Sequence, residues 1–378
     1  MATEVLPDEL ALRTARRQRA FAAMDEHGID ALVLGREANA RYVAGAQRLW
    51  TAGTRPFGPG CVVVRSTGRI HLVSTWDEGI PEDIPHEQLF GITWNPGRLF
   101  AWLQSIEGLA EARRIGTDSL TPGFARAFPR LFPHAELVDA EPALEDARRI
   151  KASEELVAIK SALRVAESAL AHTVATLRPG VSERTLAGVF MEAMARLGVT
   201  TPATQQVAWI SSVPRPPSRQ DWRVASADDL VSFDAGVVAG GYVGEVGRTW
   251  PVRRQAVDAG TEGLFQRADE LWARLVDACR PGAACEGLLD AYRAVGQELP
   301  SFPVASGLGL GFDAPVVAAS LPRTAATTVL EPGMVLAVTA FVTDQRHRAV
   351  LRKDAVLVTD GAAEVLTTAP RWPDDHVP

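Results

Sequence analysis

The sequence is poor in lysine: of 39 lysines and arginines, only Lys151, Lys160 and Lys353 are lysine. Positive charge is otherwise carried by arginine, which holds its proton where lysine can release it, so each lysine position asks for a reason. Cysteine is equally scarce. Cys61, Cys279 and Cys285 form an odd set without metal-ligand spacing, which excludes a disulfide framework and a thiolate metal centre and suits a reducing compartment. No apolar run approaches the roughly 20 residues of a membrane-spanning helix, so no membrane partner is expected. The opening stretch MATEVLPDELALRTARRQRA contains acidic residues and lacks an apolar core, so it reads as neither a signal nor a transit peptide, and a cytoplasmic location is expected. The formal charge is -7. With arginines scattered and no basic block interleaved with aromatics, a nucleic-acid surface is not expected either.

The chain has 378 residues, 47% of them hydrophobic and 22% charged, which suits two domains with cores of their own. Ala11 to Gly28 reads as an amphipathic helix ending at a glycine, Ile29 to Leu34 as a short strand, and Cys61–Arg65 with Ile70–Ser74 as a hairpin around Thr67-Gly68. Polarity rises from Asp139 to Lys151. Beyond it, Leu156, Ile159, Leu163, Ala166 and Leu170 recur at helical spacing, marking the start of a second domain. That domain contains an internal echo. Leu177-Arg178-Pro179-Gly180-Val181 opens one helix and Cys279-Arg280-Pro281-Gly282-Ala283 another, while Asp229-Leu230-Val231 parallels Gly333-Met334-Val335. The domains are placed at 1–150 and 151–378.

The most informative segment is Phe233 to Val252, FDAGVVAGGYVGEVGRTWPV. Its Asp234-x-Gly236, Gly241-Tyr242, Glu245 and Arg248-Thr249 resemble the creatinase/prolidase/methionine-aminopeptidase, or pita-bread, family. In that family two Asp carboxylates at this spacing clamp a pair of divalent metals, and Glu245 stands at the second. The resemblance covers essentially the whole chain and is strongest from Arg148 to Thr359. It implies an α/β (α+β) protein: a pita-bread C-terminal domain with pseudo-twofold halves, preceded by a smaller creatinase-like N-terminal α/β domain. Paired metals in this family polarise a carbonyl and generate hydroxide, held by hard oxygen donors and imidazole.

The remaining donors are expected in the C-terminal half, and there the sequence departs from the family. Ser306, in Ala305-Ser306-Gly307, replaces the histidine ligand. Phe312-Asp313-Ala314-Pro315 stands where the family has His-Glu-x-Pro, Thr339 where it has a glutamate ligand, and Lys353 where it has the bridging glutamate. A fixed ammonium repels divalent cations, so no metal and no cofactor is expected.

Asp234, Glu245 and Lys353 are the expected catalytic groups, with Lys353 lying within reach of both acids. The plainer alternative is a buried structural ion pair. Ser306, Thr339, Tyr242 and His347 are expected to line the substrate pocket, although His347 sits on a basic turn that equally suits bare surface. Asp313 is read as a loop brace, and Lys151 and Lys160 as parts of the domain-joining helix. Ser211 to Arg223, SSVPRPPSRQDWR, takes the place of a family stretch that carries a substrate-contacting histidine, and Arg215, Arg219 or Arg223 could bind a carboxylate there. In relatives the loop after the Tyr-x-x-Gly turn reaches a neighbouring cleft. Trp50 and Arg55, with Arg48 and Phe57, are therefore expected at a pocket mouth of a homodimer. These residues lead to an expectation of metal-independent acid/base chemistry, as a hydrolase, lyase or isomerase, on a small amino-acid-derived substrate. Two alternatives stay open: a non-catalytic pseudo-peptidase acting as a binding or scaffold protein, and a divergent metallo-aminopeptidase.

Overall fold

The computed structural model describes residues 7–46, 59–204, 206–212, 223–252, 257–320 and 328–370. Two compact units emerge, Pro7–Arg148 and a second from Arg149 onward. In the first, β1 (Ala31–Leu34), β2 (Cys61–Val64), β3 (Arg69–Val73), β4 (Leu89–Phe90), β5 (Arg114–Thr117) and β6 (Glu136–Asp139) form one sheet in the order β4-β3-β2-β1-β5-β6. Helices α1 (Glu9–Glu26), α2 (Glu37–Ala44), α3 (Pro96–Ser105), α4 (Pro122–Leu131) and α5 (Glu141–Arg149) accompany it. The Asp8 carboxylate caps α1 by accepting from the amides of Leu10 and Ala11, both at 3.0 Å, which satisfies donors the helix cannot pair itself. The hairpin expected around Thr67-Gly68 is present, with Cys61 opposite Leu72 and Val64 opposite Arg69.

His71 lies buried on β3, and its Nε2 has no hydrogen-bond partner among the described residues. Burial, aided by the neighbouring charge of Arg69, lowers its pKa below the ordinary imidazole value. As pH falls below about 6.5 the unfolded chain takes up this proton before the folded one does, so His71 withdraws stability on acidification. Replacing His71 with Leu should flatten the decline in unfolding midpoint between about pH 7 and pH 5. An unchanged slope in urea titrations at the two pH values would contradict this.

The second unit contains α6 (Ser153–Val174), α7 (Glu183–Arg196), β7 (Ala208–Ile210), β8 (Leu230–Ala239), β9 (Tyr242–Pro251), α8 (Ala259–Ala278), α9 (Glu286–Ala294), β10 (Ala305–Gly309), β11 (Gly311–Val317), β12 (Val335–Thr343), β13 (Ala349–Leu357) and β14 (Glu364–Val365). Its eight-stranded sheet runs β11-β10-β12-β13-β9-β8-β7, with β14 beside β13. The internal echo is structural. Gly180 donates to Ala225 O and Gly282 to Leu330 O, each at 2.8 Å, at matching points after α6 and α8. Both glycines have positive φ, 89° and 80°, which other residues rarely adopt.

Each half packs a helix pair on the same face of the sheet. Phe233, Ala235, Val237, Val246 and Trp250 enter the core with α6 and α7, while Val338, Ala340, Val342, Val350 and Val356 enter the core with α8 and α9. Successive strand residues alternate faces, so Asp234, Glu245, Thr339 and Lys353 all point to the opposite side. Gly244 makes the close packing of α6 possible, since a Cβ there would lie 2.4 Å from the Ala162 backbone.

Candidate functional site

The site is built by register. Asp234 on β8 lies opposite Gly247 on β9, Gly247 opposite Lys353 on β13, and Lys353 opposite Thr339 on β12. Directly opposed residues in antiparallel strands share a face, so the row Asp234, Gly247, Lys353, Thr339 crosses four strands on one side of the sheet. Glu245 is two residues from Gly247 and joins that face. Ser306, half-buried opposite Ala337, joins it from β10.

Gly247 lets the row close up. A Cβ there would stand 2.8 Å from the Lys353 Cβ; without it, the lysine side chain crosses β9 to the acid beyond. Nζ donates to both Asp234 oxygens at 2.8 Å and to Glu245 Oε2 at 3.4 Å. The Lys353, Asp234 and Glu245 side chains are 14%, 25% and 3% exposed. Burial works against the ammonium, but the adjacent charges of Asp234 and Glu245 outweigh it and raise the pKa of Lys353. Glu245 is raised too: burial disfavours its charge, and nearby Asp234 adds to that, more than Lys353 offsets. Lys353 therefore holds its proton as a fixed cation, while Glu245 has the environment of a carboxyl that titrates late.

The other expected positions divide. Thr339 is buried on the site face, and the Tyr292 hydroxyl fixes its strand by donating to Thr339 O at 2.8 Å. Tyr242 is turned away: it lies on the helix-covered face and its hydroxyl donates to Glu155 at 3.0 Å. The pocket-lining place expected for it is corrected by strand parity. His347 is exposed on the turn from Thr343 to Ala349, with φ 61°, at the far end of the hairpin from the Thr339–Lys353 pair. Trp50, Arg55, Arg48, Phe57, Arg215 and Arg219 lie outside the described residues.

Asp313 has a partner that the sequence reading passed over. Lys151 Nζ meets its Oδ2 at 3.1 Å, with side chains 1% and 3% exposed. Lys151 thus belongs to a buried ion pair, a correction to its reading as an unremarkable linker residue, and the rarity of lysine was the signal that could have found it. Gly309 makes room, because a Cβ there would overlap the Asp313 carboxylate at 2.1 Å. The cysteines offer no rival nucleophile: all three thiols are free and buried, and burial pushes Cys279 up to about 12 and Cys285 to about 11.

Among the described residues no group of three or more His, Cys, Asp or Glu side chains is placed to share a metal ion, and no helix is long and apolar enough to cross a membrane. Residues 157–360 match Metallopeptidase family M24, and residues 16–150 match the Creatinase/Prolidase N-terminal domain. An uncharacterized peptidase, YqhT, of Bacillus subtilis (strain 168) is 26% identical over 267 residues, covering 68% of this chain and 74% of its own. The creatinase of Bacillus sp. (strain B-0618) is 24% identical over 394 residues, covering 96% and 92%. The crystal structure of the prolidase from Pyrococcus horikoshii OT3 superposes with a TM-score of 0.75 at 19% identity, over 94% of this chain and 99% of that one, and shows the same fold.

Proposed function

Because the chain belongs to metallopeptidase family M24, we propose a function that departs from the family at one point: the Lys353 ammonium does the electrostatic work of the metals, and the protein performs acid/base chemistry on a small amino-acid-derived substrate. The observation that carries this reading is the triangle of Lys353, Asp234 and Glu245, with Nζ 2.8 Å from Asp234 and 3.4 Å from Glu245. The donor set does not fit a pair of divalent ions. Two carboxylates already shared by an ammonium, with Ser306 and Thr339 beside them, provide neither the anionic count nor the imidazole that such ions need.

In this mechanism Lys353 stays protonated and, keeping its bonds to Asp234, turns the donor it gives Glu245 at 3.4 Å to the oxygen on which negative charge develops. Glu245 moves the proton, since its raised pKa brings it nearer the pH at which general acids and bases are most effective. Asp234 takes the two shortest bonds from Nζ and sets the direction of the ammonium. Ser306 and Thr339 form polar walls. The protein is further proposed to be cytoplasmic and a homodimer, and light scattering giving a monomer at micromolar concentration would count against the dimer.

The test is turnover of small amides, creatine and Xaa-Pro dipeptides, with and without chelator, since a creatinase and an Xaa-Pro dipeptidase of Pyrococcus horikoshii are among the relatives. Turnover that survives chelator supports the reading; turnover that appears only on adding a divalent ion overturns it. A second expectation concerns pH. A carboxyl whose folded pKa is raised keeps a proton that the unfolded chain has lost, so Glu245 withdraws stability as pH rises from about 4.5 through its folded value. Glu245→Gln should abolish that dependence in denaturant titrations and, in the enzyme, suppress the matching limb of the pH–rate profile. A limb unmoved by the substitution would remove Glu245 from the mechanism.

One observation favours a non-catalytic scaffold. The Lys353 cluster joins β13 of one half to β8 and β9 of the other, so the ion pair also clamps the two halves of the sheet together.

A further inference from the structure

The two halves meet along β9 and β13, and among the described residues these strands pair only at Lys353 opposite Gly247. A backbone ladder this short leaves the seam to side-chain bonds, and on the site face the Thr249 hydroxyl accepts from Leu351 N at 2.8 Å and donates to Leu351 O at 3.3 Å. The seam is held from behind by Arg248, the residue after Gly247, buried on the helix-covered face. Its guanidinium donates to Gly247 O at 2.7 Å and to Lys353 O at 3.0 Å, and so grips the two carbonyls of the paired residues. It also donates to Asp354 at 2.6 Å, Ala369 O at 3.0 Å and Pro370 O at 2.8 Å.

Asp354 is held in turn. Its oxygens accept from Arg352 Nε at 3.0 Å and from the Thr367 hydroxyl at 2.6 Å, and although burial opposes its charge, Arg248 and Arg352 hold it below the usual carboxylate range. Arg352 stacks over the Trp272 ring of α8 at 4.2 Å. The segment Thr367 to Pro370 is therefore strapped behind the site by the same guanidinium that holds Lys353's backbone, and Glu167 of α6 accepts from Thr368 and Ala369 to secure it. Planar, multiply donating arginine suits this role, and lysine cannot reproduce it.

We infer that Arg248 is the positioning residue of the site, acting through the Gly247 and Lys353 carbonyls to set where the Lys353 ammonium stands between Asp234 and Glu245, with the Thr367–Pro370 strap as its anchor. The inference rests on the reading of Lys353 as the working cation, but its test needs no substrate and so fails or succeeds separately from the proposed reaction.

The chain's three lysines make the test direct. Protein labelled with 15N-lysine gives three ammonium signals, and Lys353→Met assigns the one at the site. Lys151, buried in its own ion pair in the same unit, is an internal reference that global loosening would also move. In Arg248→Lys, with its added signal, and in Arg248→Met, the Lys353 ammonium protons should exchange with water about tenfold faster or shift in frequency, while Lys151 stays unchanged. Thr367→Val, which loosens Asp354 without entering the core, should move the same signal in the same direction by less. If the Arg248 variants do not fold, Thr367→Val decides. A Lys353 signal unchanged in whichever variants fold, or one that moves only together with Lys151, overturns the inference.

Discussion

Replacing Lys353 with Met is expected to cost about 3–5 kcal/mol in unfolding free energy at neutral pH, because it leaves two carboxylates facing each other in a site from which water is largely excluded. The ammonium is the partner of both acids, at 2.8 Å and 3.4 Å; Asp234, 25% exposed, keeps part of its hydration, but Glu245, 3% exposed, cannot recover its own in place. Part of the loss is relieved if Glu245 takes up a proton, which would appear as a carboxylic acid band in infrared spectra near neutral pH. Lys353→Arg keeps the charge but puts a planar fork where a compact ammonium stood. It should fold with a much smaller loss and, in the enzyme, lose turnover. A scaffold would tolerate it with partner binding intact. Urea unfolding of the two variants checks the first expectation, and full activity in both would exclude Lys353 from the chemistry.

The second large effect is expected at Lys151 and Asp313. This pair is more deeply buried than the Lys353 cluster, at 1% and 3% exposure with a 3.1 Å contact. Lys151→Met alone removes the ammonium 3.1 Å from the buried Asp313 carboxylate, and a loss of about 3–5 kcal/mol is expected. Combining it with Asp313→Leu removes both charges, and the double variant should recover most of that loss, since apolar side chains of similar volume replace buried ion pairs at little net cost. Double and single variants equally destabilised in urea titrations would show that the pair's shape, not its charge, is what the fold requires. The pair ties Lys151, whose backbone amide also donates to Gly333 O at 2.9 Å, to β11.

Much of the site was legible because strand side chains alternate and the matching motifs carry fixed register. Asp234, Glu245, Ser306, Thr339 and Lys353 share a face for the same reason that Val338 and Ala340 enter the core. The same rule, applied within β9, excludes Tyr242: it is an odd number of residues from Glu245 and so belongs to the other side. Its misplacement came from reading Gly241-Tyr242 as a motif without the parity of the strand that follows. Arg248 was seen only as part of a motif, since its partners beyond Gly247 are backbone carbonyls and an aspartate from two other stretches of chain, which no local pattern announces. Lys151 and Asp313 are 162 residues apart in sequence. Only the scarcity of lysine hinted that Lys151 had a particular partner. Gly247 and Gly244 carried no signal of their own. Their value is the absence of a Cβ at a point where Lys353 or α6 crosses the strand.

Whether Lys353 stands in place of the metals is decided by elemental analysis of protein purified without chelator, paired with turnover before and after chelator treatment. With the ammonium as the working cation, no stoichiometric divalent ion per chain is expected, and activity is expected to be indifferent to chelator. One or two transition-metal ions per chain, with activity lost on their removal and restored on their return, would contradict it.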